Sequence, residues 1–210
     1  MPYSASVGLE QKERNVMEFK GSKTERNLVA SFAGESQARN RYTYYADKAK
    51  EEGYIQISAV FEETANQERE HAERYFKILQ ENNASNAVKV EAEFPARPLG
   101  KTEENLRAAA AGEHYETTSM YPGFADIADK EGFSRIAAVW RAIGRAEAWH
   151  EQRYTILADN VAKGRVFKRE TKVKWRCQNC GYIHEGLTPP EKCPACDYPK
   201  SYYMIHSAEF

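Results

Sequence analysis

The chain has 210 residues with 30 Lys and Arg against 31 Asp and Glu, so its net charge of −1 gives no electrostatic basis for binding nucleic acid or an anionic membrane. Its apolar runs are too short to span a bilayer, and residues 1–16 lack a charged segment followed by an apolar one. We therefore expect a cytoplasmic protein without a nucleic-acid or membrane partner, with room for one good-sized domain and a small one.

Helical periodicity predicts four long helices after an irregular N-terminal arm. Ser22 and Glu25 form a capping-box pattern at the start of the first helix, and Thr102 is a predicted N-cap of the third. The connection over 82–100 contains an alternating piece, Val88–Val90, that predicts extended character. The arm covers residues 1–21, and the helices cover approximately residues 22–52, 55–79, 102–131 and 133–161.

The composition changes near the C-terminal end, where Cys, Pro, Gly and Tyr replace the helical pattern after Thr171. We predict two domains, over residues 1–168 and 169–210. Short, long and short connections between four helices favour a mainly α fold, a ferritin-like four-helix bundle with one long crossover. The second domain is predicted as a small β and loop unit that binds a metal.

The two helix pairs resemble each other, which indicates an internal repeat. KEEGY at 50–54 matches DKEGF at 129–133 with a shift of 79 residues. Upstream, AGE at 33–35 matches AGE at 111–113 with a shift of only 78 residues. The second copy therefore contains one extra residue inside its first helix.

That extra residue lies between Glu113 and Tyr121, and a single insertion in a helix that otherwise keeps its register indicates a π-bulge. The insertion falls beside Glu116, whereas the corresponding place in the first copy, near Ala38, has no carboxylate. The two halves are thus alike in scaffold and different in the metal ligands that they offer.

Carboxylates and histidines recur at matched positions of the repeat. A single Glu-x-x-His pair is more often a solvated helix face, but two matched pairs, each with a matched upstream Glu, favour a metal site. One Glu from each of two helices and a Glu-x-x-His pair from each of the other two is the di-iron bundle arrangement. Tyr42 and Tyr121 are either core residues or hydrogen-bond donors to the ligating carboxylates. The predicted ligands are Glu35, Glu68, His71, Glu113, Glu147 and His150.

All four cysteines fall in one short segment, whereas disulfide frameworks spread cysteines over the fold that they join. They form two CxxC pairs, which indicates tetrahedral coordination of zinc or iron, and the spacing does not choose between these metals. Gly181 follows the first pair, where a positive φ is often required. The four residues are Cys177, Cys180, Cys193 and Cys196.

The chain resembles the rubrerythrin family over nearly its whole length. The motifs that carry the resemblance are AGESQARNRY, EREHAERY, AGEHYETTSMYPGFADIA, RAEAWHEQRY and the rubredoxin-like CPACDYPKSY. The resemblance implies a ferritin-like diiron bundle joined to a C-terminal rubredoxin-like domain. It also implies a peroxidase that reduces hydrogen peroxide to water and protects against oxidative stress.

The resemblance further implies a role for each ligand. Glu35 would bind one iron, Glu113 and His150 would bind the other, and Glu68 and Glu147 would bridge the two. The four cysteines would hold a mononuclear iron, although zinc could occupy that site in a heterologous preparation.

By the same resemblance, His71 and Glu116 form the catalytic pair. In the family, the first iron moves toward the Glu in the diferric state and toward the His in the diferrous state.

The implied partners are hydrogen peroxide and an external electron donor, either a rubredoxin or an NAD(P)H-dependent reductase. A homodimer would place the rubredoxin-like domain of one subunit against the diiron bundle of the other. Two alternatives remain from the residues alone. One is a ferroxidase or iron-handling ferritin-like protein with structural zinc in the cysteine site, and the other is an electron carrier or zinc module without catalysis.

Overall fold

The structure, a computed structural model, describes residues 17–207, so the first sixteen residues of the predicted arm lie outside the described part of the chain. The fold is mainly helical, as predicted, and a π-helical segment, Glu116–Met120, interrupts the third predicted helix. The Tyr121 N–H donates to the Glu116 carbonyl five residues earlier, which confirms the predicted π-bulge. The α-helices are α1 (Lys23–Glu51), α2 (Ile55–Glu81), α3 (Thr102–Tyr115), α4 (Tyr121–Glu131) and α5 (Ser134–Ala162).

Side chains satisfy the free N–H groups at the start of α1. The Ser22 Oγ accepts from the Glu25 N–H at 3.0 Å, so the predicted cap is confirmed. The Glu25 carboxylate does not return to Ser22; it accepts from the N–H of Gly21 at 2.7 Å and of Ser85 at 2.6 Å. Glu25 therefore joins the start of α1 to the chain just after α2.

The predicted N-cap at Thr102 is wrong, because Thr102 is already the first residue of α3. Its N–H donates to the Glu52 carboxylate at 3.0 Å, and the preceding N–H, that of Lys101, donates to Glu104 at 2.8 Å. A carboxylate from the neighbouring α1–α2 turn thus performs part of the capping that sequence assigned to the threonine.

The bundle consists of two antiparallel helical pairs, α1 with α2 and α3–α4 with α5. Both tight connections turn at a glycine with positive φ, Gly53 at +83° and Gly132 at +90°. The crossover from α2 to α3 is irregular, and Val88–Val90 forms no strand. This route carries the crossover past α1 and the π-helical segment.

Two apolar clusters occupy the bundle interior, and the predicted metal ligands lie between them. Aromatic rings dominate both clusters, and each fully buried side chain of this size contributes about 1.5–3 kcal/mol. The first cluster includes Tyr42, Tyr45, Ile57, Phe61, Leu106, Tyr154 and Leu157. The second includes Leu28, Tyr75, Ile78, Tyr121, Ile136 and Trp140.

The C-terminal unit is a three-stranded antiparallel sheet in the order β2-β1-β3, with strands β1 (Val173–Cys177), β2 (Ile183–Gly186) and β3 (Tyr203–Ile205). Trp175 and Tyr203 form its small core together with two of the cysteines. The boundary predicted at residues 168 and 169 falls between the end of α5 and the start of β1, and its position stays a prediction.

The C-terminal unit rests on the end of the bundle where α1 turns into α2. A Cβ at Gly53 would lie 3.8 Å from the Ser201 Cβ. Nearby, the Tyr54 ring stacks on Phe167 with centroids 6.2 Å apart. Within residues 17–207, no helix combines the length and apolar character needed to cross a membrane.

Candidate metal centres

The middle of the bundle brings six predicted ligands together. They form two overlapping groups of four side chains, and the ligand atoms of each group lie within 4.8 Å of one another. Glu68 and Glu147 belong to both groups, which is the position expected of carboxylates that bridge two ions. The first group is Glu35, Glu68, His71 and Glu147, and the second is Glu68, Glu113, Glu147 and His150.

The two histidines present equivalent ring nitrogens to the shared carboxylates. The His71 Nδ1 lies 2.9 Å from Glu147 and 3.0 Å from Glu68. The His150 Nδ1 lies 2.7 Å from Glu147 and 3.2 Å from Glu68. Because each Glu precedes its His by three residues, helix geometry places both on the same face.

The site retains protons when it holds no metal. Burial raises the pKa of Glu35 and Glu113 well above the usual range, and the neighbouring charges of Glu68 and Glu147 raise it further. These groups must lose protons before they can bind a cation, so metal and protons compete for the site.

The imidazoles take up protons to balance the carboxylates. Burial lowers the pKa of His71 and His150, but hydrogen bonds to Glu147 and Glu68 raise it to about 10 and about 9, respectively. Burial also raises the pKa of Glu68, yet hydrogen bonds from both histidines lower it to about 2. Glu68 is therefore ionised throughout the physiological range.

Several buried oxygens in this site lack protein partners. Within the described chain, one carboxylate oxygen of Glu35 and one of Glu113 make no hydrogen bond, and the Glu147 oxygens have no partner apart from the two imidazoles. Such orphaned atoms are costly unless a cation or water satisfies them. Hard carboxylate oxygens combined with two imidazole nitrogens suit a pair of iron ions, so the residues fit the diiron group.

Two buried tyrosines bind carboxylates of the site across the repeat. The Tyr42 hydroxyl in α1 donates to Glu113 in α3 at 2.5 Å, and the Tyr121 hydroxyl in α4 donates to Glu35 in α1. Each hydrogen bond occupies one carboxylate oxygen, and the other oxygen makes no hydrogen bond to the protein. The tyrosines therefore orient the two terminal carboxylates.

Glu116 lies outside both four-residue groups, at the start of the π-helical segment. It is half-buried and lines a cleft of about 950 Å³ between α1, the π-helical segment and the crossover, together with Arg41 and Phe94. Burial and the charges of Glu147 and Glu68 raise its pKa to about 8, while Arg41 opposes the shift. Glu116 thus faces the ligand cluster from the solvent-accessible side.

One contact of a predicted ligand was not predicted from the sequence. The His150 Nε2 lies 2.9 Å from the Gln67 Oε1, so the outer edge of this imidazole is hydrogen-bonded. Gln67 lies beside the predicted ligand Glu68 in a charged stretch, where nothing in the local sequence distinguishes a glutamine from a solvent-exposed residue. The repeat contains a usable signal, because its counterpart 79 residues later is Ala146.

The cysteine thiols converge in the C-terminal unit. The Sγ atoms of Cys177 and Cys196 are 3.8 Å apart, and those of Cys180 and Cys193 are 3.6 Å apart. A disulfide requires about 2.05 Å, whereas four sulfurs about 2.3 Å from one tetrahedral ion lie about 3.8 Å from one another. The thiols are therefore arranged to hold a metal ion.

The backbone after each cysteine pair has positive φ. Gly181 has φ +81°, which confirms the expectation from sequence, and Asp197 occupies the matching place after the second pair with φ +58°. The two pairs thus share one turn geometry although only the first uses glycine.

Two aromatic side chains next to predicted ligands in the sequence lie at the surface. His114 is exposed, and its Nδ1 lies 3.0 Å from Glu151, away from the ligand cluster. Trp149, inside the second Glu-x-x-His pair, is 54% exposed with the Arg153 guanidinium 5.9 Å from its ring centre. Neither side chain belongs to the two groups of predicted ligands.

Family models match both parts of the chain. The rubrerythrin model matches residues 26–158, and the model of the rubrerythrin rubredoxin-like domain matches residues 175–204. Rubrerythrin of Nitratidesulfovibrio vulgaris is 53% identical over 89% of this chain and 96% of its own length. Rubrerythrin of Porphyromonas gingivalis is 49% identical over 94% of this chain and 96% of its own length.

Solved structures give the same result. Nigerythrin in its fully reduced, all-ferrous state superposes with a TM-score of 0.59 at 32% identity, over 98% of this chain and 100% of that one. The bacterioferritin BfrA of Mycobacterium tuberculosis, at 16% identity and a TM-score of 0.59, covers 67% of this chain and shares the bundle fold. The chain therefore belongs to the rubrerythrin family of oxidoreductases, with a diiron site in the bundle and one iron in the four-cysteine unit.

Proposed function

We propose that this protein is a cytoplasmic non-haem diiron peroxidase that reduces hydrogen peroxide to water and protects the cell from oxidative stress. The observation that carries the proposal is the position of Glu116 at the π-helical insertion, beside an otherwise repeated set of ligands. A site that only takes up and passes on iron has no need for an additional carboxylate on one side.

Glu116 and His71 are suited to alternate as ligands of the first iron. The Glu116 carboxylate is anionic when ionised and matches a more highly charged ion, whereas the neutral His71 imidazole matches a less charged one. Both side chains are partly accessible, since the His71 ring is 16% exposed and Glu116 lines the cleft. The buried carboxylates Glu68 and Glu147 stay in place as the shared ligands.

The cleft provides a route for hydrogen peroxide to the ligand cluster. It opens between α1 and the crossover, and Glu116 lies on its wall. When bound, the two irons supply the two electrons that break the O–O bond, and two protons are needed to form two water molecules. Glu116, with a pKa of about 8, can hold a proton beside the cleft near neutral pH.

We propose that electrons arrive through the iron held by the four cysteines, from a rubredoxin or an NAD(P)H-dependent reductase. The C-terminal unit rests near the start of α2, and Glu68 lies about 20 Å further along that helix at 1.5 Å per residue. This separation favours a homodimer in which the unit of one subunit faces the bundle of its partner.

A visible spectrum of protein purified with its native metals tests the proposed function. We expect a red thiolate–iron absorption that a reductant bleaches and hydrogen peroxide restores, with peroxide consumed much faster than by free iron. Colourless protein with zinc in the cysteine site, and peroxide consumption no faster than that of free iron, would instead support an iron-handling protein.

A further inference from the structure

The two imidazoles of the ligand cluster differ in what holds their outer edge. The His150 Nε2 is bonded to Gln67, and the His150 side chain is only 3% exposed. The His71 Nε2 has no hydrogen-bond partner among the described residues, and that side chain is 16% exposed. Their inner nitrogens, in contrast, face the same two carboxylates at similar distances.

Gln67 is itself held in one orientation. Its amide nitrogen donates to Glu63 at 3.3 Å, and Glu63 accepts from Arg153 at 3.0 Å. Arg153 also donates to the Thr64 hydroxyl at 2.6 Å. Because the amide nitrogen is directed to Glu63, the amide oxygen is the atom that faces His150. An oxygen there requires a proton on the His150 Nε2 and leaves the Nδ1 lone pair free for a metal.

The internal repeat shows that this arrangement exists on one side only. Positions 79 residues after Glu63 and Gln67 are the corresponding places beside His71, and they hold Ala142 and Ala146. Ala146 is half-buried, as Gln67 is, so the position is comparable and only the side chain differs. A methyl group cannot accept a hydrogen bond from the His71 ring.

We propose that Gln67 is the positioning residue that keeps His150 bound to its iron, and that the alanines at 142 and 146 leave His71 free to dissociate. The first half concerns metal retention alone, whereas the second rests on the proposed exchange of His71 with Glu116. One pair of substitutions within the repeat thus makes one histidine a fixed ligand and the other a movable one.

Release of ferrous iron from the anaerobic holoprotein to a chelator tests whether Gln67 keeps His150 bound to its iron. We expect Gln67→Ala to accelerate release of one iron of the pair by about 10–100-fold, the usual cost of removing a partner of a ligating histidine. Gln67→Glu should restore slow release, because a carboxylate accepts the same hydrogen bond. Asn66→Ala, which removes an exposed amide one residue away, should release iron as the wild type does.

Two results would contradict the proposed role of Gln67. One is wild-type release from Gln67→Ala, and the other is equally fast release from Gln67→Glu, which would assign the loss to packing. The series does not depend on peroxide turnover, so failure of the peroxidase proposal would leave its result intact. Conversely, a result that contradicts the role of Gln67 would leave the peroxidase proposal standing.

The gain-of-contact variant tests the movable histidine. Crystal structures of the iron-loaded Ala142→Glu/Ala146→Gln protein, oxidised and reduced, should show the introduced amide bonded to the His71 Nε2. His71 should then remain on the iron in both states, while it leaves in the oxidised wild type. An introduced amide that fails to bond His71, or a bonded His71 that still leaves on oxidation, would overturn the proposal.

Discussion

The buried acids and imidazoles of the bundle set the pH response of the metal-free protein. His71 and His150 have pKa values of about 10 and about 9, and that of Glu116 is about 8. In the unfolded chain the same groups titrate near their ordinary values, about 6.5 for His and about 4.3 for Glu. Since each pKa is raised by folding, the folded apoprotein binds more protons than the unfolded chain across this window.

The metal-free protein should therefore lose stability as pH rises. The contribution of the two histidines is complete below about pH 6.5 and is lost as pH passes through about 9 and about 10. Thermal unfolding of the apoprotein between pH 6 and pH 10 should show a falling Tm, while the iron-loaded protein changes much less. An apoprotein Tm that rises with pH over this interval would contradict these pKa values.

A second prediction at this scale concerns the carboxylate of the cleft. Glu116→Ala should retain both irons, because the six central ligands are unchanged, but peroxide turnover should fall by about 10–100-fold. Iron content and steady-state peroxide consumption measure the two effects. Glu151→Ala is the control, since that carboxylate faces His114 at the surface. Unchanged turnover in the Glu116 variant would remove its proposed role.

Sequence could predict which carboxylates, histidines and cysteines converge, but not the contacts that orient them. Glu68, His71 and the cysteines are recognisable because their chemistry repeats at helical or CxxC spacing. Gln67 is less evident, because its contact with His150 exists only when the facing helix is in place, and its only signal in the sequence is the alanine at the matching position 146. The misplaced cap at Thr102 has the same origin, since Glu52 reaches it from another turn.

At the scale of elements, the π-helical segment separates two stretches that each keep the repeat register. Glu35 and Tyr42 are seven residues apart, close to two α-helical turns, whereas Glu113 and Tyr121 are eight apart. The additional residue is absorbed by the wider turn, so the core faces of α3 and α4 both point into the bundle. The break in the repeat made this segment predictable from sequence, because helices tolerate one extra residue only by such a local change.

Removal of one residue from the π-helical segment should convert it to plain α-helix. Deletion of the exposed Thr118 should leave a folded bundle that binds iron, because Glu113 and Tyr121 then have the spacing of Glu35 and Tyr42. Glu116 would move to the place that Ala38 occupies in the first copy, and peroxide turnover should be lost. Circular dichroism, iron content and turnover measure the three parts of this prediction.

The matched control deletes a residue from a regular helix. Loss of the exposed Thr43 from α1 rotates the following residues by about 100° and turns Tyr45 and Ala49 away from the core. This variant should be strongly destabilised or unfolded. If the Thr118 deletion unfolds the protein to the same extent, the π-helical segment is needed for folding and not only for the placement of Glu116.

At the scale of the whole molecule, the bundle and the four-cysteine unit carry complementary halves of the proposed reaction. Long helical periods and paired CxxC motifs made both units and their order predictable. The position of the C-terminal unit near Gly53 was not predictable, because it depends on surface contacts such as that of Ser201. The homodimer remains a prediction from the family resemblance, and the length of α2 between Gly53 and Glu68 supports it.

Mixed dimers test the route of electrons between subunits. Cys193→Ser should disable the four-cysteine site of one chain, and Glu116→Ala should disable the bundle of another. If electrons pass between subunits, refolding equal amounts of the two variants together should regain about a quarter of the wild-type turnover, because about half of the dimers are mixed and each mixed dimer keeps one of its two pairings intact. Mixtures no more active than the average of the separate variants would indicate transfer within one chain or between unassociated molecules.

The crosswise hydrogen bonds of Tyr42 to Glu113 and of Tyr121 to Glu35 also bear on the ancestry of the bundle. The tyrosine of each helical hairpin donates its hydrogen bond to the carboxylate of the other hairpin and not to the carboxylate of its own. Reciprocal exchange of this kind is the property of an isologous contact between two identical subunits. The bundle thus has the organisation of a symmetric pair of hairpins within one polypeptide, the arrangement that duplication of one hairpin would produce, with differences between the copies at single positions such as Gln67 and Ala146.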